Sequence, residues 1–476
     1  MAPPNFTAKS PIPVYAVALP RSEVILYAGG GGRGRSGVTN AIRAVEVVNA
    51  EKIVVDKAEM KLSRDEDAPM CMTLAPDEFN DWDDADDEGE ESVKRSEVGA
   101  SQRKIVCGIN SSEASLANGV NDNVRMFEWK RTGPSQAKAE EKAEKVIETA
   151  AKEAQVKEEE VQHSLGQLQS HESLSIRDPE QYIKVARISP DGNFLAVGAT
   201  DGQFALHTFP GLNKLWSINP TASTEVVDAD FSADSSLVAF VLADVVQIYP
   251  TSSSTAAEST SSSKKESGST PKVHQTIRNP SLKGAAACTF RGARFGRNNG
   301  GGRSDRLYTV VNSSPEQGLG SSKRDRERAR IRKCFISAWD TGSWDLLRTR
   351  QIAERPATAV EMSPTGRHVA VSTSDLSLHL LSTRTLQPVW TLSDAHAFPS
   401  TCLAFSPRGD RIVSGSADMS LRVVTVDKNA ESRLLNGWLN GKLATLILAI
   451  CLALLAVYIQ NSLAPDLPLE GSGEEE

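Results

Sequence analysis

Three stretches of the chain align with one another without a gap: ISPDGNFLAVGATDGQFALHTF from Ile188, MSPTGRHVAVSTSDLSLHLLST from Met362 and FSPRGDRIVSGSADMSLRVVTV from Phe405. A fourth, FSADSSLVAFVLADVVQIYPTS from Phe231, is a degenerate copy. The opening serines fall at 189, 232, 363 and 406, so the first pair and the last pair are each 43 residues apart. In all four copies an aspartate follows that serine by 12 residues, at Asp201, Asp244, Asp375 and Asp418. Openings of the S-P-D-G type supply turn chemistry, and short runs such as FLAVGA and HVAVST have the β-branched content of buried strands. A repeat of this length is the period of a four-stranded propeller blade, and Trp339-Asp340 after CFISA adds a further mark of that repeat.

The sequence therefore predicts an all-β chain folded as a seven-bladed WD-repeat β-propeller. Clear units lie near 183–218, 225–250, 357–393 and 399–427, and weaker ones fit 285–352, 68–130 and 22–58. The strand PVYAVAL from Pro13 is expected to complete the last blade and close the ring, removing the open sheet edges. The propeller is expected over residues 1–427, with insertions at 77–103, 131–172, 251–275 and 312–333. Their compositions differ. Residues 77–91 carry ten acids and no base, 134–162 read as a charged helix, 251–271 are Ser/Thr-rich, and 320–333 hold seven Lys/Arg.

A linker, 428–442, then leads to LATLILAICLALLAVYI at 443–459, a run of 17 residues without a charge. As a helix it spans roughly 26 Å, close to the ~27 Å core of an ER bilayer. Arg422, Lys428, Arg433 and Lys442 precede it, and no Lys or Arg follows in the tail at 460–476. That asymmetry predicts a single transmembrane helix with the N-terminal propeller cytosolic and a short lumenal tail. Six cysteines in 476 residues are too few for a disulfide scaffold and suit free thiols in a reducing compartment. Asn5, Asn110 and Asn312 head Asn-x-Ser/Thr triplets that would then go unglycosylated. The formal net charge of -8 is uneven: the 77–91 segment and the acidic tail account for more than all of it, leaving a mildly basic body. That balance argues against a dedicated nucleic-acid-binding protein and suits one held near anionic headgroups.

The most specific stretch is AGGGGRGRSGVTN, Ala28 to Asn40. Gly29 to Ser36 nearly matches a P-loop, but Arg35 stands where the lysine belongs; Gly32, Gly34 and Gly37 match a dinucleotide fingerprint. Both patterns need a following helix in an α/β sheet. Here NAIRAVEVVNAEKIVV reads instead as the third and fourth strands of a blade, so no nucleotide site and no small-molecule substrate are expected. The loop is either a flexible connection or a shaped one, whose carbonyls converge on a cation or whose backbone another protein approaches closely. The seven histidines are scattered, and no Ser/His/Asp or metal-hydrolase constellation is visible. His396 reads as a structural hydrogen-bonding residue of its repeat.

Ala28–Gly32 with Asn40 after a strand, the degenerate seven-bladed propeller, the segment DAHAFPSTCLAFSPRGDRIVSGSAD from Asp394 and the single C-terminal span together carry a resemblance. The chain resembles the ER-membrane guanine-nucleotide exchange factors for the Sar-type GTPase that starts COPII assembly, relatives of prolactin regulatory element-binding protein. The resemblance implies that the glycine loop holds a potassium ion through main-chain carbonyls of Gly29, Gly30, Gly31 and Gly32. It also implies that Asn40, with Ala41 and Pro69, engages the GTPase to release GDP without chemical catalysis, in ER-to-Golgi transport. Arg33 and Arg35 depart from the family's loop. The competing expectation is a membrane-tethered WD-repeat scaffold without exchange activity.

Overall fold

The computed structural model describes residues 3–34, 36–48, 52–76, 101–132, 161–219, 224–252, 271–278, 288–298, 302–313, 332–427 and 452–457. Its strands form seven four-stranded antiparallel sheets. Blade 1 comprises β2 (Val14–Ala18), β3 (Val24–Gly29), β4 (Ala41–Val48) and β5 (Ile53–Lys61). Blade 2 comprises β6 (Cys71–Leu74), β7 (Ser101–Gly108), β8 (Val124–Thr132) and β9 (Gln162–His171). Blade 3 comprises β10 (Ile183–Ile188), β11 (Phe194–Ala199), β12 (Phe204–Thr208) and β13 (Lys214–Ile218). Blade 4 comprises β14 (Val226–Phe231), β15 (Leu237–Leu242), β16 (Val245–Pro250) and β17 (Gln275–Arg278). Blade 5 comprises β18 (Cys288–Phe295), β19 (Arg306–Ser313), β20 (Cys334–Asp340) and β21 (Leu346–Ala353). Blade 6 comprises β22 (Ala357–Met362), β23 (His368–Thr373), β24 (Leu378–Ser382) and β25 (Pro388–Leu392). Blade 7 comprises β26 (Ser400–Phe405), β27 (Arg411–Ser416) and β28 (Ser420–Thr425), completed by β1 (Asn5–Lys9).

The closing strand is therefore β1, paired from Asn5↔Val424 to Lys9↔Ser420, and not the strand after Pro13. PVYAVAL instead forms the inner strand of blade 1, where Val14 is fully buried. The apolar run made it look like a closing strand. NFTAK is half exposed, as suits an outer strand, and so carries little hydrophobic signal. A second correction concerns 131–172: Gln162–His171, expected within an insertion, is the outer strand of blade 2. Its sequence, QHSLGQLQSH, is polar and mostly exposed, so no alternation announced it. Smaller overlaps place Ser101, Gln102, Arg103, Arg131, Thr132, Gln275, Asn312 and Ser313 on strands at the insertion edges. The bulk of the acidic, charged, Ser-rich and basic insertions, the linker and the tail lie outside the described residues, as does most of the 443–459 span. Of that span, residues 452–457 are helical with exposed Leu452, Leu454, Leu455 and Val457. No helix of the described residues is long and apolar enough to cross a membrane. Met1–Val426 and Asp427–Glu476 form two separate compact units.

The repeat has a direct structural counterpart. In all four copies the opening serine hydroxyl accepts from the main-chain N–H five residues on. Phe194 and Leu237 donate to Ser189 and Ser232 at 2.9 Å, and His368 and Arg411 donate to Ser363 and Ser406 at 3.0 Å. Gly192, Gly366 and Gly409 turn these hairpins with φ of 72°, 71° and 68°, where glycine is favoured. In the degenerate copy Ser235 takes the same conformation at φ 59°. The core is divided into clusters between neighbouring blades, such as Phe204, Phe231, Phe240 and Tyr249 between blades 3 and 4. His396 is the structural residue expected, with Nδ1 2.7 Å from Ser420 Oγ and Nε2 2.7 Å from Ser414 Oγ.

Candidate functional site

In an antiparallel blade the connection from second to third strand and the one to the next blade emerge on the same face. The glycine loop, joining β3 to β4, thus shares a face with residues 62–70, 109–123 and 172–182. Four glycines in succession permit its course because each meets a close neighbour or an unusual dihedral. A Cβ on Gly29 would lie 1.9 Å from the Pro13 carbonyl oxygen. On Gly30, at φ +142°, it would lie 2.4 Å from Asn40 Oδ1, and on Gly31 1.8 Å from Ser36 Oγ. Gly32 has open space but a φ of +69°.

Asn40 closes the loop from below. It is 1% exposed. Its Oδ1 accepts from the Gly32 N–H at 2.9 Å, which fixes the carboxamide's orientation. Its Nδ2 donates to the carbonyls of Glu66 at 2.9 Å, Ser63 at 3.2 Å and Gly32 at 3.5 Å. The Asn40 carbonyl accepts from Leu62 N at 2.8 Å. One side chain thereby ties the loop of blade 1 to the crossing into blade 2. Ala41 begins β4 opposite Gly29 and is fully buried. Pro69 is buried on the crossing, between Asp67, whose N–H donates to the Asn110 carbonyl, and Met70, whose N–H donates to that of Gly108. The structure thus brings together Gly29–Gly32, Asn40, Ala41 and Pro69, with the last three as interior supports. Gly34, Ser36, Gly37, Ser63, Arg64 and Asp65 form the exposed rim.

Sequence reasoning missed the polar groups that brace this rim. Arg33 Nε donates to Asp67 Oδ1 at 2.6 Å, and its Nη2 to the Pro179 carbonyl, so the loop reaches over blade 2 to the entry of blade 3. Burial pushes the Asp67 carboxyl above its ordinary pKa, against the opposing pull of the Arg33 guanidinium. Glu66 takes a bidentate grip from Arg125, at 2.6 and 2.7 Å. Asn110, Asn121 and Asn123 are fully buried; they bond to the Gln181, Ile176 and Leu174 carbonyls at 2.7, 3.1 and 2.6 Å. For Asn121 and Asn123 the available signal was the asparagine-rich run NGVNDN, a residue type costly to bury without such a role. Asn110 and Asn312, flagged as unused glycosylation triplets, are such pins; Asn312 brackets Ala357 with bonds of 2.7 and 3.1 Å.

For a metal, no group of three or more His, Cys, Asp or Glu occurs among the described residues. The oxygens gathered at Asn40 are of another kind. Three neutral carbonyls surround an amide nitrogen that has two hydrogens, leaving one acceptor in excess. Neutral carbonyl oxygens are the donor type of a hard monovalent cation and not of a transition metal, and here they converge on the Asn40 amide hydrogens.

By its sheets the chain is of the seven-bladed β-propeller class, and it presents a braced glycine loop on one face. A WD domain, G-beta repeat model matches residues 386–424. Over nearly its whole length the chain is similar to guanine nucleotide-exchange factor SEC12 of Mus musculus, with 25% identity over 459 residues and 95% of each chain covered. The same protein of Rattus norvegicus is 23% identical over 457 residues, again with 95% of each covered. SEC12-like protein 2 of Arabidopsis thaliana is 24% identical over 263 residues, covering 55% of this chain and 56% of that one. Among solved structures, Raptor of Chaetomium thermophilum shares the fold at a TM-score of 0.51 and 10% identity, covering 89% of this chain. This chain spans 28% of that one.

Proposed function

We propose that this protein is a guanine-nucleotide exchange factor that releases GDP from a Sar-type small GTPase at the ER membrane, beginning COPII coat assembly. The observation that carries the reading is the similarity to SEC12 over 95% of both chains. The glycine loop, Gly29–Gly32 with Asn40, supplies a place for the activity. An exchange factor needs no proton transfer; it must bind the nucleotide-free GTPase more tightly than the nucleotide-bound one. A rim held by buried hydrogen bonds serves this purpose, because little ordering entropy is lost when a partner docks. Asn40, Ala41 and Pro69 act by fixing the rim, and the exposed backbone at Gly34, Ser36 and Gly37 with Arg64 and Asp65 makes the contact. A potassium ion would be held by carbonyls of Gly29–Gly32 and the neighbouring Ser63 and Glu66, supplying a point charge that stiffens the loop. The 443–459 segment would anchor the chain in the ER membrane with the propeller cytosolic.

The mechanism is tested by the full chain's affinity for its GTPase in two states. Tighter binding of the nucleotide-free than of the GDP-loaded protein, by at least a hundredfold, is expected. Equal affinity for both would leave a scaffold and remove the exchange mechanism.

A further inference from the structure

Six inner strands carry the same irregularity: a bulge near the start, at Tyr15 in β2, Lys184 in β10, Val227 in β14, Arg291 in β18, Thr358 in β22 and Thr401 in β26. A bulge re-aims the side chain of its extra residue. All six line the central cavity, whose volume is about 490 Å³. One ring near the glycine-loop end of the channel therefore holds two cations and three hydroxyl residues but no carboxylate.

Deeper in the channel the charges are matched. Arg187 reaches across the channel to Glu361, Arg294 bridges Asp228 and Glu361, and Arg297 holds Asp230 at 3.0 Å. At the ring they are not. Lys184 pairs with Glu225 just beyond it. Arg291 makes no ion pair among the described residues: its Nε, at 2.7 Å, and its Nη2 both donate to the Thr358 carbonyl. The carboxylates whose fields reach it, Asp228 and Glu225, are engaged by Arg294 and Lys184. Burial lowers the Lys184 pKa first, and the Arg291 charge lowers it further despite the opposing Glu225 bond, so the two cations feel one another. The Tyr15 hydroxyl has no hydrogen bond among the described residues, whereas those of Thr358 and Thr401 are bonded to Ser372 and to the Val14 and Gly415 carbonyls.

A cavity lined by two cations that feel one another, with one of them lacking an ion-pair partner among the described residues, calls for an anion. We propose that this ring of bulge residues binds an oxyanion of the phosphate class, clamped between the Arg291 guanidinium and the Lys184 ammonium, with the Tyr15 hydroxyl as a further donor. The site is independent of the exchange reading, since phosphate binding by a chain without exchange activity would leave it intact.

The test is thermal unfolding of the full chain in detergent micelles, with phosphate titrated against chloride at constant ionic strength, alongside 31P line broadening. The melting temperature should climb with the logarithm of phosphate concentration, as for any ligand of the native state. Arg291→Gln and Lys184→Gln should each weaken the apparent affinity at least tenfold, and Arg348→Gln on the outer strand should not. Glycerol phosphate in a parallel arm tells a free ion from an organic phosphate, according to which binds more tightly. Should Arg291→Gln not fold, Lys184→Gln and the 31P titration of the unaltered chain still decide. No phosphate effect beyond that of chloride, or an equal effect in all variants, would overturn the proposal.

Discussion

At the residue scale, the glycine loop separates residues that share a letter. Gly30 and Gly34 look alike in AGGGGRGRSG. Yet a methyl on Gly30 would strike the Asn40 carboxamide, and on Gly34 its nearest neighbour is the Gly31 carbonyl at 3.8 Å. Gly30→Ala should therefore release the loop, seen as at least tenfold faster amide exchange at Gly32, while Gly34→Ala should leave exchange within about twofold. Asn40 makes an equally sharp case. Asn40→Ala leaves the Gly32 N–H and the three carbonyls that share its amide hydrogens without that partner, at about 1–3 kcal/mol for each group that stays buried. Asn40→Asp is expected to be worse, because it sets a carboxylate against the Ser63 and Glu66 carbonyls; chemical unfolding of the two variants checks the order. Buried histidines set the pH response. Burial lowers His207 and His396 to about 4, so each is neutral in the native state and takes up a proton on unfolding below its ordinary value of 6.5. Their contribution to stability is complete above pH 6.5 and falls by about 1.4 kcal/mol per group per pH unit as pH drops towards 4. Unfolding free energies measured at pH 7 and pH 5 should show this loss, and His396→Gln should reduce it.

At the element scale, the blades that announced themselves in sequence are those built on the serine-opened hairpin. Ser363→Ala removes a buried acceptor from the His368 N–H and should cost about 1–3 kcal/mol, measured by chemical unfolding. Where the hairpin lacks this signature, in blades 1, 2 and 5, only a loose outline was legible. The outer strands were the hardest to read. NFTAK and QHSLGQLQSH face solvent, so their pairing with β28 and β8 comes from backbone hydrogen bonds that no side-chain pattern records. Conversely, the assignment of Ala41–Val48 and Ile53–Lys61 to third and fourth strands was legible, because downstream repeats made a helix after the glycine loop inconsistent. The loop itself was visible as a run of glycines, but its bracing by Arg33, Asp67, Glu66 and Arg125 was not. Those pairs lie 34 and 59 residues apart and meet only through the packing of neighbouring blades 1 and 2.

At the scale of the whole molecule, the ring is closed by five residues next to the N-terminus. Removing residues 1–9 should expose the β28 edge and produce concentration-dependent association, visible by light scattering. The central claim, though, concerns exchange, and the most direct measurement is the rate of GDP release from a Sar-type GTPase with the full chain and its Asn40→Ala variant side by side. The account predicts that the unaltered chain accelerates release at least tenfold. It predicts that Asn40→Ala loses most of that acceleration while its seven blades still unfold cooperatively. Release no faster with the chain than without it, or equally fast with both chains, would contradict the account.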